Sequence, residues 1–265
     1  MTNLRDMKKV YLSIVISLLS SHTLISQYSE TINTSRPGQA VIPFTTGKYV
    51  FQVQSGMTYS DFDDSDLTTD GNSTDFFTLL RYGLMENFEL RSAFGFNSSE
   101  VNFENNTSAD ASGFSVWNVG IRYNIVSGEG YKPSFGFQTG VGLNWVGEDF
   151  KAEDLAPKFT LIHSQQLSKV FGLTTNWALN WNGNDNSTTG SYVINISFPL
   201  GDRLGSFVEN YGTISNGSID HRWDTGLGYL ANNNLMFDCS VGYGKNDGLS
   251  DWFIDAGVSW RVKVK

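Results

Sequence analysis

The stretch Phe135-Gly136-Phe137-Gln138-Thr139-Gly140-Val141-Gly142-Leu143-Asn144-Trp145 narrows the possible folds more than any other part of the chain. Its odd positions are Phe135, Phe137, Thr139, Val141, Leu143 and Trp145, and its even positions are glycine, Gln138 or Asn144. Alternation with period two places these sets on opposite faces of a β-strand. One face is apolar with an aromatic ring at each end, and the other is small or polar. The apolar face of a soluble sandwich strand meets a second sheet and needs no ring at either end. Steps of about 3.3 Å along a strand tilted by about 40° carry such a stretch roughly 25 Å upward, the height of the apolar band of a membrane barrel. The stretch therefore predicts an all-β fold, a transmembrane antiparallel up-and-down β-barrel.

The same design recurs from Lys48 onward in about twelve segments. Apolar sets include Phe51, Val53, Met57 and Tyr59; Phe76, Leu80, Tyr82 and Leu84; Leu90, Phe94 and Phe96; and Trp117, Val119, Ile121 and Tyr123. Later sets include Phe171, Leu173, Trp177 and Leu179; Tyr192, Ile194 and Ile196; Trp223, Leu227 and Tyr229; Phe237, Cys239, Val241 and Tyr243; and Trp252, Ile254, Val258 and Trp260. Two segments are less regular. Residues 158–166 alternate poorly, and 204–213 have ambiguous parity, with Glu209 the one charge. Short turns at 85–87, 168–169, 201–202 and 232–234, with a longer link at 127–132, fall between predicted long connections at 61–73, 97–112, 146–156, 183–189 and 215–220. That rhythm fits hairpins with short periplasmic turns, longer external loops and an even strand count.

Composition closes other routes. Beyond the N-terminus no run of 18 apolar residues occurs, which excludes a helical membrane protein. A mean hydropathy of −0.24 still suits a barrel, because half of each strand faces inward. The net charge of −9, without basic runs, argues against nucleic acid as a partner. Cys239 stands alone, so no internal disulfide forms.

Residues 1–26 read as an export signal, with Arg5, Lys8 and Lys9 ahead of the apolar Val10 to Ile25 and Ser26 before the expected cut. Residues 27–47 lack strand alternation and read as an N-terminal arm, leaving 48–265 for the barrel.

No catalytic constellation is present. His163 and Ser164 are sequence neighbours, so on a strand they point to opposite faces and form no nucleophile–base pair. Cys/His metal spacing, a phosphate loop and a nucleophile elbow are absent from the sequence. Asp61-Phe62-Asp63-Asp64-Ser65-Asp66 lacks the sixth-position glycine and closing glutamate of a calcium loop, and reads as a solvated, disordered loop. No enzyme activity, metal or cofactor is expected.

The inward parity instead collects charge: Arg81, Glu89, Arg91, Arg122, Glu209, Arg222, Asp224, Asp238, Asp255 and Arg261. A charge facing hydrocarbon costs about 2–4 kcal/mol near the midplane, so these residues belong in the lumen. They read either as a constriction that orients a solute or as an ion-pair network filling a narrow barrel. Arg81, Arg91 and Arg122 outnumber Glu89 on the early strands, and acid dominates the late ones, which predicts a transverse field. In the arm, Arg36-Pro37-Gly38 suits a fixed extended segment, a plug or a periplasmic tether, with Arg36 paired to a lumen acid such as Glu209 or Asp238.

The Arg36-Pro37-Gly38 arm followed by Gly47-Lys48-Tyr49-Val50-Phe51-Gln52-Val53 resembles a known family. So do Leu80-Arg81-Tyr82-Gly83-Leu84 running to Phe88-Glu89-Leu90-Arg91, Val119-Gly120-Ile121-Arg122-Tyr123 and Phe207-Val208-Glu209-Asn210-Tyr211. Together they resemble the outer-membrane barrels grouped under the MetA pathway of phenol degradation. Ser35 stands where that family often has Asp, and Gln54 where an acid is common. The resemblance implies uptake of aromatic or hydrophobic compounds. The expectation is a monomeric barrel in a Gram-negative outer membrane, in contact with lipid and lipopolysaccharide, passing small solutes. The alternative is a sealed barrel serving surface interaction or envelope structure.

Overall fold

The computed structural model describes residues 29–104, 107–185, 187–215, 217–246 and 248–264, so the expected signal segment 1–26 lies outside the described residues. Twelve strands follow the arm: β1 (Val50–Asp64), β2 (Thr69–Met85), β3 (Phe88–Phe103), β4 (Ser108–Val126), β5 (Ser134–Gly142), β6 (Ala156–Gln166), β7 (Gly172–Trp181), β8 (Thr188–Pro199), β9 (Leu204–Ser215), β10 (Ser218–Asn232), β11 (Leu235–Asn246) and β12 (Leu249–Lys263). Each pairs antiparallel with its chain neighbours, and β12 returns to β1 in register from Val50↔Lys263 to Asp64↔Leu249. The sheet is thus a closed barrel. Closure pairs every strand on both sides, the condition for backbone polar groups to cross hydrocarbon.

Parity is the main organiser. Along β11, Met236, Asp238, Ser240, Gly242 and Gly244 are buried, while Phe237, Cys239, Val241 and Tyr243 are exposed. The same inversion holds around the barrel, so the usual soluble arrangement is reversed. Among the described residues, 20 polar or charged residues are buried against 7 hydrophobic ones. The large exposed side chains are instead Phe76, Trp177, Trp223, Phe237, Tyr243, Ile254 and their like, which form the outer coat. Rings pair across strands at both levels of this coat. Tyr59 meets Trp252 at 5.6 Å on the upper level, and Tyr123 meets Phe137 at 5.7 Å on the lower. From Trp260 to Trp252 along β12 the tilted rise is roughly 20 Å, a band that matches hydrocarbon flanked by two aromatic girdles.

The structure corrects the sequence reading in two places. The stretch 135–145 is not one strand, because β5 ends at Gly142 after only 9 residues. Beyond it the amide of Leu143 donates to the Trp117 carbonyl at 2.8 Å, and that of Gly147 to the Phe114 carbonyl at 2.7 Å. The chain therefore leaves strand pairing and runs beside β4 as a loop containing a short 3-10 turn at Glu148–Phe150. Trp145 still meets Trp117 edge-on at 5.8 Å, which explains why the alternation continues past the strand end.

Second, most of the predicted long loops are strand. Asp61, Asp63 and Asp64 pair in β1, opposite Asn72, Asp70 and Thr69 of β2, so the acidic run is ordered sheet up to a turn at 65–68. Polar composition there marks a wall that rises above the apolar band. It does not mark a break in the strands.

An arginine at Val241, on the outer face between Phe237 and Tyr243, is expected to cost about 2–4 kcal/mol of stability in lipid vesicles. Arginine at Leu67, in the turn beyond the band, is expected to cost less than about 0.5 kcal/mol. Urea unfolding of the two variants in phosphatidylcholine vesicles measures the difference.

Candidate functional site

The described arm, from Ser29 to the start of β1, runs inside the barrel. Its polypeptide has no strand partner, so its backbone amides and carbonyls need other partners. Lumen side chains satisfy many of them, and the Ile32 amide donates to the Asn233 carbonyl at 2.8 Å. On one wall, Arg81 is wholly buried and makes a two-pronged pair with Glu89 at 2.9 and 2.8 Å. Its remaining N–H groups donate to the arm carbonyls of Asn33, at 2.8 Å, and Phe44, at 3.2 Å. Arg122 donates to the same Phe44 carbonyl at 3.3 Å and to Gln138 at 2.9 Å. Asn124 donates to the Pro43 carbonyl, and Gln52 to that of Asn33. Glu89 also accepts the Thr46 amide at 2.9 Å.

The wall opposite in charge lies on β9 to β12. Glu209 accepts the amides of Gln39, at 2.6 Å, and Ala40, at 3.0 Å, and the side chain of Asn195 at 2.9 Å. Arg36 reaches from the arm to Asp238, donating from Nε at 3.1 Å and Nη2 at 2.9 Å, and also contacts Asp255. Sequence dictates the slot for Arg36, because Gly56 and Gly257 face each other across β1 and β12. A Cβ on either would lie within 2.4 Å of the guanidinium. Between the walls, Asn176 clamps Val41 by donating to its carbonyl and accepting its amide, both at 2.8 Å. Arg261 holds the start of the arm by donating to the Ser29 and Glu30 carbonyls at 2.9 Å.

The charges are therefore split across the lumen. Glu89 alone faces Arg81, Arg122 at 3.8 Å and Arg91 at 3.7 Å. Glu209 lies directly opposite Asp224 in the β9–β10 register, and Asp238 and Asp255 share Arg36. The arm offers carbonyls to the arginines of the basic wall and the Thr46 amide to Glu89 there, and it offers amides and one guanidinium to the acidic wall.

Two cavities flank this contact zone. The upper one, about 950 Å³, is lined by Phe62, Phe77, Leu79, Arg91, Arg222 and Phe253, among others. The lower one, about 560 Å³, lies between the arm residues Ile32, Pro37 and Ile42 and the wall carrying Phe198 and Phe207. Ser35 and Arg36 line both, so the arm is the partition between them.

The residues singled out from sequence all reach the barrel interior, but not one common place. Arg36, Arg91, Arg222 and Asp255 line the upper cavity. Arg81, Glu89, Arg122, Glu209 and Asp238 are packed against the arm. Arg36 selects Asp238 and Asp255, while Glu209 binds backbone amides, because Gly38 turns the chain with φ +86° between them. Sequence reasoning missed the neutral clamps Gln52, Gln54, Gln138, Asn176 and Asn195. Their inward parity was the available signal, and the absence of charge hid them. Arg222 pairs with Asp251 at 2.7 Å near the top, where both side chains keep contact with water.

A closed antiparallel barrel with an apolar coat, a polar lumen and an inward-folded N-terminal arm is a membrane barrel of the outer-membrane type. Comparison with known proteins gives the family. The chain belongs to the family described as "Putative MetA-pathway of phenol degradation", whose model matches residues 34–262. Comparison with curated proteins gives no match. Among solved structures, an outer membrane channel from Pseudomonas putida F1 superposes with a TM-score of 0.64 at 9% identity, over 86% of this chain and 99% of that one. The transport unit of the autotransporter AIDA-I from Escherichia coli gives 0.56 at 9% identity, covering 94% and 97%. The translocator domain of the autotransporter NalP from Neisseria meningitidis gives 0.52 at 13% identity, covering 97% and 96%. At these identities the likeness is one of fold.

Replacing Glu89 by Gln leaves buried arginines without their one carboxylate and is expected to destabilise the barrel by about 3–5 kcal/mol. Arg222→Gln, at a hydrated pair, is expected to cost about 1 kcal/mol or less. Denaturant midpoints of the refolded variants check the contrast.

Proposed function

We propose that the protein is an outer-membrane channel of a Gram-negative bacterium, passing small solutes with an apolar or aromatic part, and that the arm is its closed gate. One observation carries this reading: two cavities, one toward each end of the barrel, share Ser35 and Arg36 as their partition. A barrel filled only for rigidity has no need of such volume on either side of a removable segment. Support for the solute class comes from the upper cavity, where Phe62, Phe77, Leu79 and Phe253 present an apolar surface inside the lumen. Aqueous pores for sugars do not require that surface, whereas a solute with an apolar body gains from it. Family membership agrees with the reading, since its description refers to phenol degradation.

In this account the transverse separation of charge serves the gate. Arg81 and Arg122 on one side and Glu209, Asp238 and Asp255 on the other hold an arm whose own dipoles and Arg36 match them. The barrel works as a monomer in lipid and lipopolysaccharide, after export directed by residues 1–26, and transport is passive with no catalytic step.

Deleting residues 27–47 is expected to raise single-channel conductance in planar bilayers several-fold and to make proteoliposomes swell in sugars and amino acids. Unchanged conductance in a variant that shows the heat-modifiable migration of a folded barrel rejects the gate. It would favour a sealed barrel acting at the cell surface.

A further inference from the structure

The sheet register aligns four residues in one row across four strands: Arg91 of β3, Gly120 of β4, Gly140 of β5 and Lys158 of β6. Three strand spacings separate the two cations, roughly 14 Å between their Cα atoms. The two central positions carry no side chain. They cannot, because a Cβ on Gly120 would lie 2.4 Å from the Thr139 carbonyl oxygen, and one on Gly140 would lie 2.8 Å from that of Val119. Close approach of β4 and β5 thus leaves a bare backbone floor between an arginine and a lysine.

Neither cation is used up by the protein. The Arg91 side chain is nine-tenths buried, yet its Nε and Nη1 have no hydrogen-bond partner. Its one acid, Glu89, stands 3.7 Å away and is already gripped by Arg81. Among the described residues no carboxylate lies within ion-pair distance of Lys158. On the adjacent strand β2, Asp75 is held by Asn97 at 2.8 Å and Ser73 at 3.0 Å, and lines neither cavity. A buried guanidinium with idle donors beside a second cation is costly unless an anion completes it.

The space for that anion exists. Arg91 and Lys158 line both the upper cavity and an adjoining one of about 370 Å³, floored by Gly120, Gly140 and Gly142. Phe77 and Leu79 line the same two cavities. The junction therefore combines two cations, on β3 and β6, with the apolar side chains of Phe77 and Leu79 on β2.

We propose that this junction binds a small organic anion, an aryl or alkyl carboxylate, with its carboxylate between Arg91 and Lys158 and its apolar part against Phe77 and Leu79. The proposal rests on the channel reading only for how the ligand arrives. It assigns Lys158 and Arg91 as the residues that favour anionic over neutral apolar solutes.

The test uses the full barrel in nanodiscs of zwitterionic lipid at neutral pH, with ligand-observed NMR titrations of benzoate and its neutral isostere benzamide, corrected with empty nanodiscs. Benzoate is expected to bind about tenfold more tightly than benzamide. The Arg91→Gln/Lys158→Gln double variant is expected to lose that preference, and Arg91→Lys/Lys158→Arg to keep it. Equal affinity for the two probes, binding of neither, or a preference that survives in the double-glutamine variant overturns the site. The channel reading fails or stands separately, on conductance after arm deletion, which needs no ligand.

Discussion

A polypeptide segment without secondary structure carries one acceptor and, prolines apart, one donor per residue, and inside a barrel each must find a partner. Here that constraint and the charge pattern of the lumen solve each other. The early strands bring Arg81 and Arg122, which need acceptors and take the carbonyls of Asn33 and Phe44. The late strands bring Glu209 and Asp238, which need donors and take the amides of Gln39 and Ala40 and the guanidinium of Arg36. Without the arm, Arg81, Arg122, Glu209 and Asp238 would lose these partners and would have to be hydrated instead. Without the walls, the arm would have to be hydrated. The closed lumen depends on this reciprocity more than on any single ion pair.

The arrangement also explains why the cavities lie where they do. Below the arm, the apolar arm residues Ile32, Pro37 and Ile42 face the wall carrying Phe207. Above it, the lumen widens to an aromatic and cationic chamber. A thin partition of Ser35 to Gly38 separates them, fixed by charge at one point and by the Asn176 clamp beyond it. Hydrogen bonds to charged groups are each worth about 1.5–3 kcal/mol. Several together hold a segment firmly, and in the proposed reading they are the bonds that opening must break. This is the physical basis for reading the arm as a gate.

Much of the fold was legible because membrane and lumen impose opposite polarity on alternate residues. Alternation and turn spacing together gave about twelve segments, with poor alternation at 158–166 and ambiguous parity at 204–213. Parity assigned Cys239 to the outer face and sent every charged residue of the candidate set inward. It failed where other forces act. The alternation at Leu143 to Trp145 survives beyond β5 because Trp145 still packs on Trp117, although its backbone has left the sheet. The acidic run Asp61 to Asp64 resembles a loop by composition, yet closure against β2 and β12 keeps it in strand. Charge balance foretold that Arg36 would meet a lumen acid. It did not say which, because the turn at Gly38 decides that. The row linking Arg91 to Lys158 was invisible for a simpler reason: register between non-adjacent strands is not written in any one segment.

The claim at the centre of this account is that the arm is fixed in the lumen by the two charged walls. Amide hydrogen exchange of the full barrel in nanodiscs tests it at the residues concerned, Gln39, Ala40, Val41 and Thr46. Exchange there several orders of magnitude slower than in the exposed 65–68 turn is the predicted result. Exchange as fast as in that turn would mean the arm is free in the lumen, and the partition described above would not hold.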